Sequence, residues 1–175
     1  VFTAPAESRV SMFKDNWHRI TTLWHGEPCN ILYLDSDTVF VRATRIFDRF
    51  EEFRLFNWTH PKRKDPYENY FNAGVRYYPA TMSESIWEIG SELAAGWDLN
   101  IWDQEQRIFN KMFWSQGLAW GDAHRPALNW QCPVGSDIPA LEQFNTIPAN
   151  QSQIVHYHGT RGCAAAAEFA EQLAT

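Results

Sequence analysis

The chain passes directly from the apolar run Ile31-Leu32-Tyr33-Leu34 into the acidic turn Asp35-Ser36-Asp37-Thr38. Four consecutive apolar residues are too few for a helix, and they predict a short strand that is covered on both faces. Such strands are typical of the centre of a parallel sheet, and α/β folds bind ligands at the carboxyl edge of that sheet. The stretch therefore predicts an α/β fold in which a central parallel strand ends in two carboxylates.

The segments around this strand predict alternating helices and strands. Helical spacing of apolar residues predicts helices at 7–24, at 81–95 and from about 103 to 117, and an Ala-rich stretch predicts another at 163–173. A second apolar stretch lies at 39–41, and further strands are predicted at 53–58, 70–78 and 154–157, the second of them interrupted at 72–74. Residues 59–69 and the Pro-rich stretch 118–153 are predicted to be loop or irregular structure. This alternation is typical of a single α/β domain.

The composition narrows the function classes. Of the 175 residues, 45% are apolar and 21% are charged, which is the balance of an ordinary globular domain. The formal net charge of −6 argues against a general binder of nucleic acid or of anionic membranes. No apolar run approaches the roughly 18 residues that a membrane helix needs. The three cysteines lack CxxC spacing and predict no zinc knuckle, and the compartment, cytoplasmic or Golgi-lumenal, stays open.

The two carboxylates predict a cation site. Asp35 and Asp37 repel one another unless a cation lies between them, and hard oxygen ligands suit Mg²⁺ or Mn²⁺. A metal ion shared with a diphosphate accounts for the pair, although a solvated Asp-rich turn fits the same residues.

The strand-D-x-D-x-[TV] pattern also matches the aspartate-nucleophile phosphatases. That fold needs a later Lys and a second acidic motif, and the Gly121-Asp122 step has no second carboxylate nearby.

Four motifs, in this order, resemble those of the GT-A glycosyltransferases. The motifs are LYLDSD at 32–37, FNAGV at 71–75, WDQ at 102–104 and VHYHG at 155–159. They look most like glycosyltransferase family 8, which includes glycogenin and bacterial lipopolysaccharide galactosyltransferases, and families 34 and 77 share similar pieces. The resemblance covers roughly residues 5–162. It implies a three-layer α/β/α fold with a central mixed, mostly parallel sheet.

The resemblance implies that Asp35, Asp37 and His156 hold a divalent cation, Mn²⁺ or Mg²⁺. His156 ends a predicted strand 119 residues after Asp37, and an imidazole with two carboxylates can complete a three-ligand site. A packed or solvated histidine fits His156 taken alone. A divalent ion there would act as a Lewis acid and neutralise charge on the departing diphosphate.

The resemblance also implies roles in substrate binding and catalysis. Asp103 binds sugar hydroxyls and Gln104 lies near the anomeric carbon, although a helix N-cap explains Asp103 equally well. Where the family has Lys-Pro-Trp, this chain has Arg161-Gly162-Cys163, which implies that Arg161 takes the place of the lysine, although a surface arginine in a turn fits it equally well. The full set of substrate-binding residues implied in this way is Asn72, Ala73, Gly74, His158, Gly159 and Arg161.

The expected function is metal-dependent transfer of a sugar from a nucleotide-diphosphate donor, a UDP-sugar, to a glycan or other hydroxyl acceptor, with retention. Only 34 residues precede Asp35, so we expect a single GT-A-like domain over 1–175 that lacks part of the N-terminal nucleotide-binding region. Two alternatives stay open. One is a truncated or degenerate module that binds nucleotide or glycan without turnover, and the other is an aspartate-nucleophile phosphatase.

Overall fold

The computed structural model describes residues 9–27, 29–42, 46–58, 71–96, 104–118, 129–133, 148–158 and 162–174. The described helices are α1 (Arg9–Gly26), α2 (Glu84–Gly96), α3 (Gln104–Ser115) and α4 (Gly162–Leu173), with short 3-10 helices at Ile46–Arg49 and Ala149–Gln151. The strands are β1 (Ile31–Leu34), β2 (Thr38–Phe40), β3 (Arg54–Trp58), β4 (Phe71–Tyr78), β5 (Asn129–Pro133) and β6 (Ile154–His158). Among the described helices, none combines the length and the apolar composition that crossing a membrane requires.

The described strands form two small sheets. In the first, β4 lies between β1 and β3 and is antiparallel to both; in the second, β6 lies between β2 and β5, antiparallel to β2 and parallel to β5. The mixed α/β class is therefore confirmed. The expected mostly parallel pairing is not what these strands form, because β5 and β6 are the only described pair that runs in parallel.

β1 corrects the prediction of a central parallel strand. It pairs antiparallel with β4, and all four of its residues are half-buried. Ile31 and Tyr33 pack against one apolar core, whereas Leu32 and Leu34 pack against another. The continuous apolar pattern thus reflects two covered faces, as expected, but it carries no information on the direction of the neighbouring strand.

β4 corrects the prediction of an interrupted strand. It runs continuously through the step at 72–74, and the irregular register lies instead in its pairing with β3, between Leu55 and Asn57. Gly74 stays within the strand because its backbone oxygen accepts a hydrogen bond from the Asp35 N–H (2.8 Å). A glycine inside a strand can mark a close approach of another group as well as a bulge or a bend.

Side chains of α3 complete the hydrogen bonding of β4 where β1 has ended. Asn110 accepts from the Phe71 N–H through Oδ1 (2.8 Å) and donates to the Phe71 carbonyl through Nδ2 (2.7 Å). Gln106 Oε1 accepts from the Ala73 N–H (3.3 Å). Buried backbone groups need such partners, so these amides allow β4 to extend past β1 without orphaned polar atoms.

Two apolar cores hold the described elements together. The larger core packs α1, α2 and α3 against the first sheet, and Trp17 and Trp24 pack against it as their helical spacing predicts. The smaller core combines Phe56, Val75 and Tyr77 of the first sheet with Ile154 of β6, so it joins the two sheets. The predicted helices are confirmed within a few residues, and β5 is a strand in a stretch predicted to be irregular. The loop at 59–69 lies outside the described residues.

Gly90 gives a test of this packing. A Cβ at Gly90 would overlap the Trp17 ring and lie 2.7 Å from Met112 Sδ. Because overpacking forces neighbours apart, we expect Gly90→Ala to lower the free energy of unfolding by about 1–3 kcal/mol in urea titrations. Gly96→Ala in the same helix has nothing within 4 Å of its Cβ and is the matched control. Equal stability of the two variants would contradict the packing.

Tyr78 gives a second test, at alkaline pH. Burial raises the pKa of Tyr78 to about 12 from an ordinary value of 10.0. A raised folded-state pKa contributes stability that is complete below the unfolded value and is lost as pH rises through the folded value. We therefore expect thermal stability to fall between pH 10 and pH 12, and to fall less steeply in Tyr78→Phe. That variant keeps the stacking on Trp87 and removes a buried hydroxyl that makes no hydrogen bond. If the pH profile of Tyr78→Phe equals that of the wild type, ionisation of Tyr78 does not contribute to the loss of stability.

Candidate metal centre

The turn between β1 and β2 places the two carboxylates. Thr38 closes this turn, because its N–H and its hydroxyl both donate to the Asp35 carbonyl, at 3.1 and 2.7 Å. β2 then begins at Thr38 and pairs with β6 in a register that sets Thr38 opposite His156. The Tyr157 N–H donates to the Asp37 carbonyl (2.9 Å), which fixes the turn against β6. Backbone hydrogen bonding therefore brings Asp35, Asp37 and His156 to one place.

Asp35, Asp37 and His156 form a compact cluster. One ligand atom from each lies within 4.8 Å of the other two. His156 is buried and the two aspartates are half-buried. Nε2 of His156 lies 3.0 Å from Asp37 Oδ1. The structure thus brings together the three residues that the sequence pattern nominated as ligands.

The donor set and one buried oxygen fit a divalent cation. Asp37 Oδ1 is shielded from solvent and makes no hydrogen bond, and His156 Nε2 lies 3.0 Å from it, at ion-pair distance. A buried carboxylate oxygen without a hydrogen bond is costly, and a cation is one way to satisfy it. Two carboxylates and an imidazole suit Mn²⁺, which accepts both oxygen and nitrogen ligands.

Gly74 forms one wall of the cluster. A Cβ at Gly74 would overlap His156 Cε1, and it would lie 2.7 Å from Asp35 Oδ2 and 2.9 Å from Asn72 Oδ1. The backbone of β4 therefore passes the cluster at a distance that only glycine allows. Asn72 Oδ1 accepts a hydrogen bond from the Gly74 N–H (2.7 Å), so the side chain of Asn72 supports this part of the strand.

Gly162, at the start of α4, forms a second wall that the sequence pattern did not assign. A Cβ there would overlap the Tyr157 carbonyl oxygen and lie 2.8 Å from Asp37 Oδ2. The nearby side chains of Ser36 and Cys163 approach to 3.6 Å between oxygen and sulfur. The sequence offers one signal for Gly162, which is that a glycine follows closely after the strand that carries His156. Spacing alone does not show what this glycine contacts.

The remaining predicted residues are placed unevenly. Ala73 is buried in the larger core, so its side chain is not part of the cluster wall. Gln104 begins α3 and is half-buried. His158 ends β6, where it pairs with Pro133 of β5, and its side chain lies outside the described part of the chain. Asp103, Gly159 and Arg161 also lie outside the described residues.

Glu105 and Arg76 are the residues beside the cluster that the sequence pattern missed. Arg76 follows Gly74 by two positions on β4, and its Nη1 lies 3.2 Å from Glu105 Oε1 in the first turn of α3. Burial tends to lower the pKa of Arg76, but Tyr78, Tyr33, Glu105 and Asp35 around it raise that pKa, so the guanidinium stays charged. An arginine within an apolar strand was the available signal, because such a residue needs a buried anion.

Gly74 also gives a test of the cluster. Since a methyl group there displaces His156 or Asp35, we expect Gly74→Ala to weaken Mn²⁺ binding by about 10- to 100-fold. Binding is measured from the electron paramagnetic resonance signal of free Mn²⁺. Gly26→Ala, with nothing within 4 Å of its Cβ, is the control and should bind as the wild type does. Equal affinity of all three proteins would contradict a cation site at this cluster.

The chain was also compared with known proteins. Neither the scan against protein-family models nor the search of curated proteins finds a match. The geometry of the cluster and the order of the motifs are therefore what any functional assignment rests on.

Proposed function

We propose that this chain is a metal-dependent glycosyltransferase of the GT-A type, which transfers a sugar from a nucleotide-diphosphate donor, a UDP-sugar, to a glycan or other hydroxyl acceptor. The observation that carries the proposal is the convergence of Asp35, Asp37 and His156 from two elements far apart in sequence. The four motifs that resemble glycosyltransferase family 8 include all three of these residues, and a second motif contributes Gly74 to the wall of the same cluster.

The packing around the cluster supports a functional site over a solvated turn. A solvated Asp-rich turn needs neither a buried imidazole nor glycines on both sides. Here Gly74 lies against Asp35 and His156, whereas Gly162 lies against Asp37, and each leaves no room for a side chain. Close approach of backbone to a group of carboxylates is what a small, shaped ligand site requires.

In the proposed reaction, Asp35, Asp37 and His156 would hold a divalent cation, Mn²⁺ or Mg²⁺, which would supply a Lewis acid for the charge on the departing diphosphate. Asn72 accepts a hydrogen bond from the Gly74 N–H and so helps to hold the backbone that forms this wall. Gln106 and Asn110 fix the start of β4 to α3, and this contact keeps the first turn of α3 at the same edge of the site. These residues orient groups and do not exchange protons.

Donor turnover is the test of the proposal. Wild-type protein is incubated with Mn²⁺ and a panel of UDP- and GDP-sugars, and release of the nucleoside diphosphate is measured. We expect Mn²⁺-dependent turnover of a UDP-sugar, reduced at least about 100-fold in Asp37→Ala, because the lost ligand removes a Lewis acid worth several kcal/mol. Asp15→Ala removes an exposed carboxylate on α1 and is the matched control.

Two other results would point to the alternatives. Binding of UDP and Mn²⁺ without turnover of any donor would support a binding module and contradict the transferase. Hydrolysis of a simple phosphomonoester that is lost in Asp35→Asn and indifferent to nucleotide would support an aspartate-nucleophile phosphatase. Thermal melts of each variant show whether the loss of turnover reflects loss of the fold.

A further inference from the structure

Arg76 is a buried cation next to the candidate metal centre. Its side chain is 1% exposed. The guanidinium carbon lies 3.6 Å from the ring centroid of Tyr33 and 3.9 Å from that of Phe109, so the charged group is held between two aromatic faces. Nη1 lies 3.2 Å from Glu105 Oε1, whose side chain is 32% exposed, and Nε makes no hydrogen bond.

Burying the charged Arg76 side chain at this position costs free energy. A buried ion pair loses hydration, and an apolar side chain of similar volume is often as stable or more stable. The stacking on Tyr33 and Phe109 returns part of that cost, but methionine could pack between the same rings. Stability alone therefore does not account for an arginine here, and its charge is the property to explain.

The register places this charge beside the cluster. Arg76 lies opposite Tyr33 in the β1–β4 pairing, and the next positions along the two strands on the same side are Asp35 and Gly74. The Asp35 N–H is bonded to the Gly74 carbonyl, so these positions are fixed relative to one another. Arg76 is thus ion-paired with Glu105 of α3 and close enough to Asp35, which follows β1, for the two charges to interact.

We propose that Arg76 is an electrostatic positioning residue of the site, which holds Glu105 at the first turn of α3 and supplies a fixed positive charge beside Asp35. Its charge opposes binding of a bare divalent cation and favours a cation that arrives with a diphosphate. This inference rests on the proposed function only in the choice of a metal–diphosphate as ligand, because the effect on the bare cation follows from charge alone.

The proposal predicts effects of opposite sign, which a structural role does not produce. We expect Arg76→Met to bind Mn²⁺ alone about 3- to 10-fold more tightly, since a nearby like charge has been removed. We expect the same variant to bind UDP about 10-fold more weakly at saturating Mn²⁺, since the anion has lost an attractive charge. Arg76→Lys, which restores a positive charge, should return both affinities toward those of the wild type.

The experiment measures Mn²⁺ affinity by electron paramagnetic resonance and UDP affinity by calorimetry. Arg54→Met is the matched control, because Arg54, the first residue of β3, is also buried and is paired with the carboxylate of Glu52. This variant should leave both affinities within about 2-fold of the wild type. Glu105→Gln should bind Mn²⁺ alone about 3-fold more weakly, because it removes a negative charge near the cluster, while the amide oxygen of Gln can still accept a hydrogen bond from Arg76. That variant carries the test if Arg76→Met does not fold.

The outcomes separate this inference from the proposed function. Weaker binding of both ligands by Arg76→Met, or no change in either, would overturn the inference while donor turnover by the wild type stands. If Arg76→Met binds Mn²⁺ more tightly and UDP more weakly, but the wild type turns over no donor, the inference is supported and the transferase function is contradicted. Absence of Mn²⁺ binding by the wild type would remove the cation site on which both depend.

Discussion

The candidate site depends on how the backbone polar groups of β4 are satisfied. β3 pairs along one edge of this strand, while β1 covers only part of the other edge and ends opposite Val75. From there the Asp35 N–H bonds to Gly74, and amides of α3 bond to the residues before it. Because buried peptide groups cannot remain unpaired, these contacts hold the end of β1, the strand β4 and the start of α3 in one arrangement.

A second constraint is space. Gly74 of β4 and Gly162 of α4 both lie against the carboxylates, and a Cβ at either one would overlap a neighbouring atom. The site is therefore built by backbone surfaces as much as by side chains. Such walls are rigid, since a strand and a helix start cannot withdraw without breaking their own hydrogen bonds. This rigidity suits a centre in which two like charges and an imidazole must stay close together.

Several features follow from local patterns, and others do not. The helical spacing around Trp17 and Trp24 predicted α1, and the apolar run Ile31–Leu34 predicted a strand covered on both faces. The same run could not show that its neighbour is antiparallel, because strand direction depends on where the chain returns. The step at 72–74 looked like a break, since propensity does not register the side-chain amides that support β4. β5 was missed because its alternation of polar and apolar residues is only four residues long, Asn129 to Cys132, and lies in a Pro-rich stretch that favours irregular structure.

By itself the sequence determined the mixed α/β class, the positions of most elements and the nomination of Asp35, Asp37 and His156, because apolar periodicity and residue chemistry are local properties. Tertiary structure alone decided that β2 pairs with β6 in the register that brings His156 to the two aspartates. It also decided that Arg76 and Glu105 meet beside them. Both features depend on strand register and on the pairing of buried polar groups. These are contacts between distant parts of the chain, so no single segment of the sequence predicts them.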